Sequence, residues 1–197
     1  MTRSAPLAEP PVPPVRLGED DGRRAILVDG VVQSIALDHG AAEAGYWAAM
    51  LPDTRPSRAL LLGYGGGTLA HLLLRRFGPL PIVGVDDDPR VLALAPALLE
   101  VPACVELVCL DALAYVQGTV GRFDYVAVDL FRGGETPRAM FGRPFLRRLR
   151  ALLTPGAPLV VNLFVDRRLP ERLHRLGRVF RVRAQRRVGE NLVVHLA

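Results

Sequence analysis

Three aspartates and a cluster of glycines carry the residue types and spacing of a nucleoside site. Leu60–Leu61–Leu62–Gly63–Tyr64–Gly65–Gly66–Gly67–Thr68–Leu69 is an apolar run that breaks into glycines and resumes at helical spacing. That pattern marks a buried strand, a tight turn and the first turn of a helix. Glycines in such a turn let backbone approach a ligand without Cβ clashes. The helix N-terminus is expected to offer free N–H groups and a positive dipole end to an anionic group. Asp86 closes Pro-Ile-Val-Gly-Val-Asp (81–86), about twenty residues past the turn, where an acid would hold ribose hydroxyls. Asp111 follows a third apolar run and suits an adenine amino group or, equally, the N-cap of a helix. Asp129 closes Phe-Asp-Tyr-Val-Ala-Val-Asp (123–129), where the reacting end of a ligand would lie.

The elements that must position these groups alternate. Strands are expected at 58–63, 81–86, 105–110, 123–129 and 158–164. Helices are expected at 67–77, from Pro89 to about 99, at 111–117, at 137–153 with a restart at Pro144, and at 168–177. Such alternation implies a parallel sheet covered on both faces, with ligands beyond the carboxyl ends of the strands. Ahead of it, Ala25–Val28 and Val31–Ile35 flank Asp29–Gly30, a hairpin signal. A helix over 41–51 closes at Pro52. Segments 179–187 and 191–196 read as a closing antiparallel hairpin. The chain divides into a proline-rich arm (1–22), the hairpin with its helix (23–52), and a nucleoside-binding domain (53–197).

Composition narrows the chemistry. Half of the 197 residues are hydrophobic, yet no apolar run reaches membrane-spanning length. The N-terminal stretch lacks the apolar core of a secretion signal, so the cytoplasm is the expected compartment. All 25 basic residues are arginine. The absence of lysine excludes a Walker-type P-loop and a pyridoxal Schiff base. Residues 132–187 hold 15 arginines against Glu135, Asp166 and Glu171. Such an excess is most simply a set of solvated helix faces, and nucleic acid is not expected as a partner. Cys104 and Cys109 read as small buried hydrophobes. His39, His71, His174 and His195 have no ligand spacing, so no metal site is expected.

Together these motifs resemble the spermidine synthase-like branch of the Rossmann-fold methyltransferase superfamily, over about residues 23–196. Leu-Val-Asp-Gly-Val-Val-Gln (27–33), Tyr46, the glycine turn (60–69), Val-Gly-Val-Asp-Asp-Asp-Pro (83–89) and Asp111–Ala112 carry the resemblance. So do 123–129 and Phe-Leu-Arg-Arg-Leu-Arg-Ala-Leu-Leu-Thr-Pro-Gly (145–156). The resemblance implies an α/β, Rossmann-like methyltransferase fold: a mostly parallel seven-stranded sheet with a C-terminal antiparallel hairpin, preceded by a small N-terminal β-hairpin. It implies that Gly63, Gly65, Gly66 and Gly67 cradle the aminoalkyl part of S-adenosylmethionine or its decarboxylated form. Asp86, with Asp87 beside it, would bind the ribose, Asp111 and Ala112 the adenine, and Gln33 would lie near the nucleoside. Asp129 takes the catalytic position, while Tyr46, Leu130 and Phe131 line the pocket of a small-molecule acceptor. The family often dimerises, so a homodimer through the arm or hairpin is an expectation of the same kind.

The chain also departs from the family pattern. Gly66 stands where spermidine synthases carry an aspartate that repels the carboxylate of intact S-adenosylmethionine. Asp129 is followed by Leu130–Phe131–Arg132 rather than a second acid, and Tyr46 by Trp47–Ala48 rather than His-Glu. Lost acids, with arginines gathered in the same half, favour methyl transfer from S-adenosylmethionine as the main expectation. Aminopropyl transfer from the decarboxylated form is the alternative, and a non-catalytic nucleoside-binding domain the third reading.

Overall fold

In the computed structural model, residues 12–37, 45–131 and 135–197 are described. Most of the proline arm, the first part of the 41–51 helix, His39 and Arg132 lie outside them. The seven-stranded sheet has the order β6-β5-β4-β7-β8-β10-β9. Its strands are β4 (Ala59–Leu62), β5 (Ile82–Asp86), β6 (Val105–Cys109), β7 (Tyr125–Val128), β8 (Leu159–Phe164), β9 (Val182–Val188) and β10 (Asn191–Leu196). The first five are parallel, and β10 runs antiparallel between β8 and β9. The topological switch lies at β4 and β7, whose carboxyl ends carry Gly63 and Asp129.

Both faces of the central strands are buried, as an all-apolar parallel strand requires. Leu60, Leu62, Val126 and Val128 face α4 (Ala112–Gly118), α5 (Arg143–Leu152) and α6 (Leu169–Gly177). Ala59, Leu61, Tyr125 and Ala127 face α1 (Gly45–Ala49) and α2 (Thr68–Phe77). Helix α3 (Pro89–Leu98) begins on Pro89, with Asp88 capping the Arg90 amide at 2.9 Å. The expected 137–153 helix is a 3-10 turn (Arg138–Phe141) followed by α5. The break falls at Gly142 with Pro144 behind it, since proline fits only the first turn of a new helix. Strand β9 pairs only with β10 and forms one edge of the sheet; its residues are exposed on both faces up to Val188.

The N-terminal hairpin (β2, Arg23–Val28; β3, Val31–Ile35) gains a third strand, β1 (Val15–Asp20), from the stretch read as arm. Arg16, Leu17 and Glu19 are all exposed and no residue of the strand is fully buried, which hides it from a pattern search. The three-stranded sheet is fastened to the start of α2. The Thr68 hydroxyl donates to the Ile35 carbonyl at 2.8 Å and accepts from its amide at 2.9 Å. The buried Ser34 hydroxyl accepts from the Gly66 amide at 2.7 Å. Ile26 and Ala36 complete the joint against Val91 and Leu98 of α3.

Cys109 is exposed and Cys104 only half-buried. This corrects the expectation of two buried cysteines, because β6 is the other edge strand and covers little of itself. No helix among the described residues is long and apolar enough to cross a membrane.

Thr68→Val keeps shape while leaving both polar groups of Ile35 unpaired in a buried joint. It should destabilise the fold by about 1–3 kcal/mol in urea denaturation; an unchanged midpoint and slope would show that the joint carries no stability.

Candidate active site

A cleft of ≈ 1030 Å³ opens at the carboxyl ends of β4, β5, β6 and β7. It brings Gln33, Tyr46, Gly63, Gly65, Asp86, Asp87, Asp111, Ala112, Asp129, Leu130 and Phe131 onto one wall system. Of the residues picked out for this site, Gly66 and Gly67 do not line it. Gly66 lies behind the turn: a Cβ there would stand 2.8 Å from Ile26 Cδ1 and Leu98 Cδ2 and 2.9 Å from Ser34 Cβ. A side chain at this position would have to displace the tips of Ile26 and Leu98 and the Ser34 Cβ. Gly63 adopts φ +88°, and a Cβ on it would collide with the Asp129 carbonyl oxygen, so the chain just past β4 packs directly against the chain just past β7.

The amides of the turn are not free. Gly63 and Tyr64 donate to the Val85 carbonyl at 2.9 and 3.0 Å, and Gly67 donates to that of Tyr64 at 3.1 Å. Gly65 donates to Asp86 Oδ2 at 2.8 Å and Gly66 to Ser34. Every N–H from Gly63 to Gly67 is therefore spent inside the protein. The tertiary joint, Asp86 and the Val85 and Tyr64 carbonyls thus take the donors of the glycine turn itself, ahead of the first residue of α2. Beneath the turn Tyr64 is buried against Gly84, where a Cβ would collide with its ring. Burial pushes the Tyr64 hydroxyl up to about 12.

Asp86 bridges turn and helix, since its Oδ1 accepts from the Asp88 amide at 3.1 Å. Burial raises its pKa, against the two amide bonds that favour the carboxylate. Asp111 caps α4 through the Leu113 and Ala114 amides at 2.9 and 3.0 Å while facing the cleft. Capping and lining are thus compatible, because each carboxylate oxygen has two lone pairs.

Asp129 sits just past β7, on the side that faces α1. Tyr46 Oη donates to its Oδ2 at 3.1 Å and Asn162 Nδ2 to its Oδ1 at 2.9 Å. Burial pushes the Asp129 carboxyl up to about 6, against the bonds from Asn162, Tyr46 and Trp47 that favour ionisation; Asp86 raises it further. Burial and the neighbouring Asp129 charge in turn raise the Tyr46 phenol well above its ordinary value. Such a perturbed carboxyl in a cleft is suited to accept a proton near neutral pH.

The sequence reading underrated several neighbours. Asn162 lies within β8 as a buried polar residue in an otherwise apolar strand, which is itself a signal. Phe164 and Glu190 line the acceptor end, and the Phe164 ring meets that of Phe131 at 4.6 Å. The arginines of 138–187 do not line the cleft. Its described charged residues are Asp29, Asp86, Asp87, Asp88, Asp111, Asp129 and Glu190 against Arg90, which is paired with Asp88 at 2.6 Å. The expectation that arginines crowd the acceptor half is thereby corrected: α5, α6 and β9 carry them outward. Among the described residues, no three of His, Cys, Asp and Glu are grouped to hold a metal ion.

Comparison with known proteins agrees with this architecture. No family model matches the chain. It is 31% identical over 137 residues to a probable polyamine aminopropyl transferase of Bifidobacterium longum, covering 67% of this chain and 30% of that protein. It is 28% identical over 180 residues to the polyamine aminopropyltransferase of Neisseria meningitidis, covering 85% and 68%. The chain thus spans under a third of the first relative and about two thirds of the second. In fold it matches a probable spermidine synthase from Corynebacterium glutamicum with a TM-score of 0.79 and 21% identity, over 100% of this chain and 81% of that one. Human methyltransferase-like protein 13 in complex with SAH gives 0.64 and 24%, over 72% and 71%. The expectation of methyl transfer is corrected by these relatives, whose names support the aminopropyl alternative.

Linkage gives Asp129 a measurable signature. A carboxyl at about 6 in the folded chain and near 3.8 when unfolded binds its proton more tightly when folded. Stability is then lost as pH rises from about 4 through 6. Asp129→Asn should raise the melting temperature at pH 8 by about 2–4 °C per kcal/mol relieved, with the gain vanishing near pH 4. Equal gains at both values would refute a perturbed carboxyl. In sequence the chain is similar to polyamine aminopropyltransferases, and its fold is that of spermidine synthases and Rossmann-type methyltransferases.

Proposed function

We propose that the chain transfers an aminopropyl group from decarboxylated S-adenosylmethionine to a small amine acceptor. The observation that carries this reading is the spent glycine turn. Intact S-adenosylmethionine brings a carboxylate that needs N–H donors, and Gly63 to Gly67 have none to give. The acidic lining adds a field that favours a donor bearing only positive charge. Selection against the carboxylate therefore needs no aspartate at Gly66.

Asp86 and Asp87 suit the ribose hydroxyls, Asp111 and Ala112 the adenine edge, and Gln33 the outer side of the nucleoside. Gly63 and Gly65 back the alkyl chain, while Tyr46, Leu130 and Phe131 shape the acceptor end. The donor supplies a sulfonium whose adjacent carbon is open to displacement. Asp129 takes a proton from the acceptor nitrogen, whose lone pair forms the new C–N bond as the C–S pair returns to sulfur. Tyr46 and Asn162 hold the two carboxylate oxygens, so the base is oriented before the amine arrives. Removal of a positioned base of this kind costs about 10²–10⁴ in rate.

Calorimetric titration tests the donor. The decarboxylated form should bind about tenfold or more tightly than intact S-adenosylmethionine, and the reverse order would overturn the proposal. Asp86→Ala should weaken donor binding by about 1–3 kcal/mol, the scale of a lost charge-assisted bond. Asp129→Asn should abolish transfer yet leave donor affinity nearly intact. In the wild type, kcat/KM should fall as pH drops below about 6; a flat profile from pH 5 to 8 would remove Asp129 from the base role.

A further inference from the structure

A second cavity, of ≈ 470 Å³, lies apart from the cleft, between the start of α5 and the end of α6. Its apolar side is the rim of the core at Phe141, Leu146 and Val179. Its polar side is cationic: Arg143, Arg175 and Arg178 line it with His174. Glu171 is the one acid lining it among the described residues, and it is already held by Arg175 at 2.8 and 3.1 Å. Arg143 and Arg178 are exposed and make no ion pair with any described residue. Arg150 adds charge nearby, its Nη1 donating to the Val179 carbonyl at 2.9 Å.

Backbone charge points the same way. Helix α5 enters the cavity wall with Gly142 at its N-cap, no side-chain cap bond and no acid in its first turn. Its positive end is therefore uncompensated. At the opposing end of α6 two carbonyls are already engaged: His174 O accepts from the Arg178 amide at 3.2 Å, and Leu176 O from Val179 and Phe180 at 3.0 and 2.9 Å. Two unpaired guanidiniums beside an apolar wall recognise a bidentate oxyanion carried on a flat or compact apolar body. A bare ion would leave that wall unused, and a long polyanion would exceed the cavity.

From this geometry we propose that the α5–α6 cavity is a binding site for a small organic anion, a phosphate or carboxylate on a ring-sized apolar group. It is separate from the aminopropyl-transfer cleft and does not depend on that reaction. Phenyl phosphate is the probe, titrated into the full chain at low ionic strength with backbone amide shifts followed by NMR. Saturable shifts are expected at Phe141–Leu146 and His174–Val179. Affinity should be about tenfold weaker for inorganic phosphate and for phenol, and about tenfold weaker in Arg143→Ala/Arg178→Ala. It should also fall as salt is raised. Both arginines are exposed, so the double variant should retain the wild-type melting temperature. Absence of saturation, shifts confined to the cleft, or undiminished affinity in the double variant would each overturn the site.

Discussion

Two buried hydroxyls set the geometry on which the rest depends. Ser34 and Thr68 join the N-terminal three-stranded sheet to the turn that begins α2. The joint satisfies the Gly66 amide and both backbone groups of Ile35. With the Val85 and Tyr64 carbonyls and Asp86, it leaves no amide of Gly63–Gly67 unpaired, and it crowds the position of Gly66. On the proposed function, substrate charge is read by the carboxylates around the opening rather than by the loop beneath it.

Charge is sorted by position rather than by sequence neighbourhood. The acids gather at the strand ends, where desolvation raises Asp86 and Asp129. The arginines lie on the outer faces of α5 and α6 and along β9. Arg172 is the exception: it is buried, pairs with Asp166 at 3.0 Å and lies over the Phe141 ring. A single net charge would conceal this separation, because the two populations lie on different surfaces of the fold.

Most of the sheet was legible, since runs such as Leu60–Leu62 and Tyr125–Val128 can be buried only on both faces. The positions of Asp86, Asp111 and Asp129 followed from strand ends. Three features were not legible. Strand β1 exposes too much of itself to show a period. The roles of Ser34 and Thr68 depend on a contact across 33 residues, which local pattern cannot display. The outward course of the arginines depends on which helix face meets the sheet, and the family-level argument from lost acids overlooked Asp29 and Glu190 in the same opening. Charge counted by chain segment misjudged charge counted by cavity.

Strand β9 has a consequence for the molecule in company. An edge strand offers unpaired amides and carbonyls to any other strand, and apolar edges invite sheet-to-sheet accretion. Here Arg183, Arg186 and Arg187 cover both sides of a strand with little to bury. Two such edges approaching one another meet like charge along their length, and the pairing that would extend the sheet is discouraged before its first hydrogen bond. The same repulsion weakens as salt screens it, so crowding and ionic strength, rather than temperature alone, set how long the chain stays dispersed.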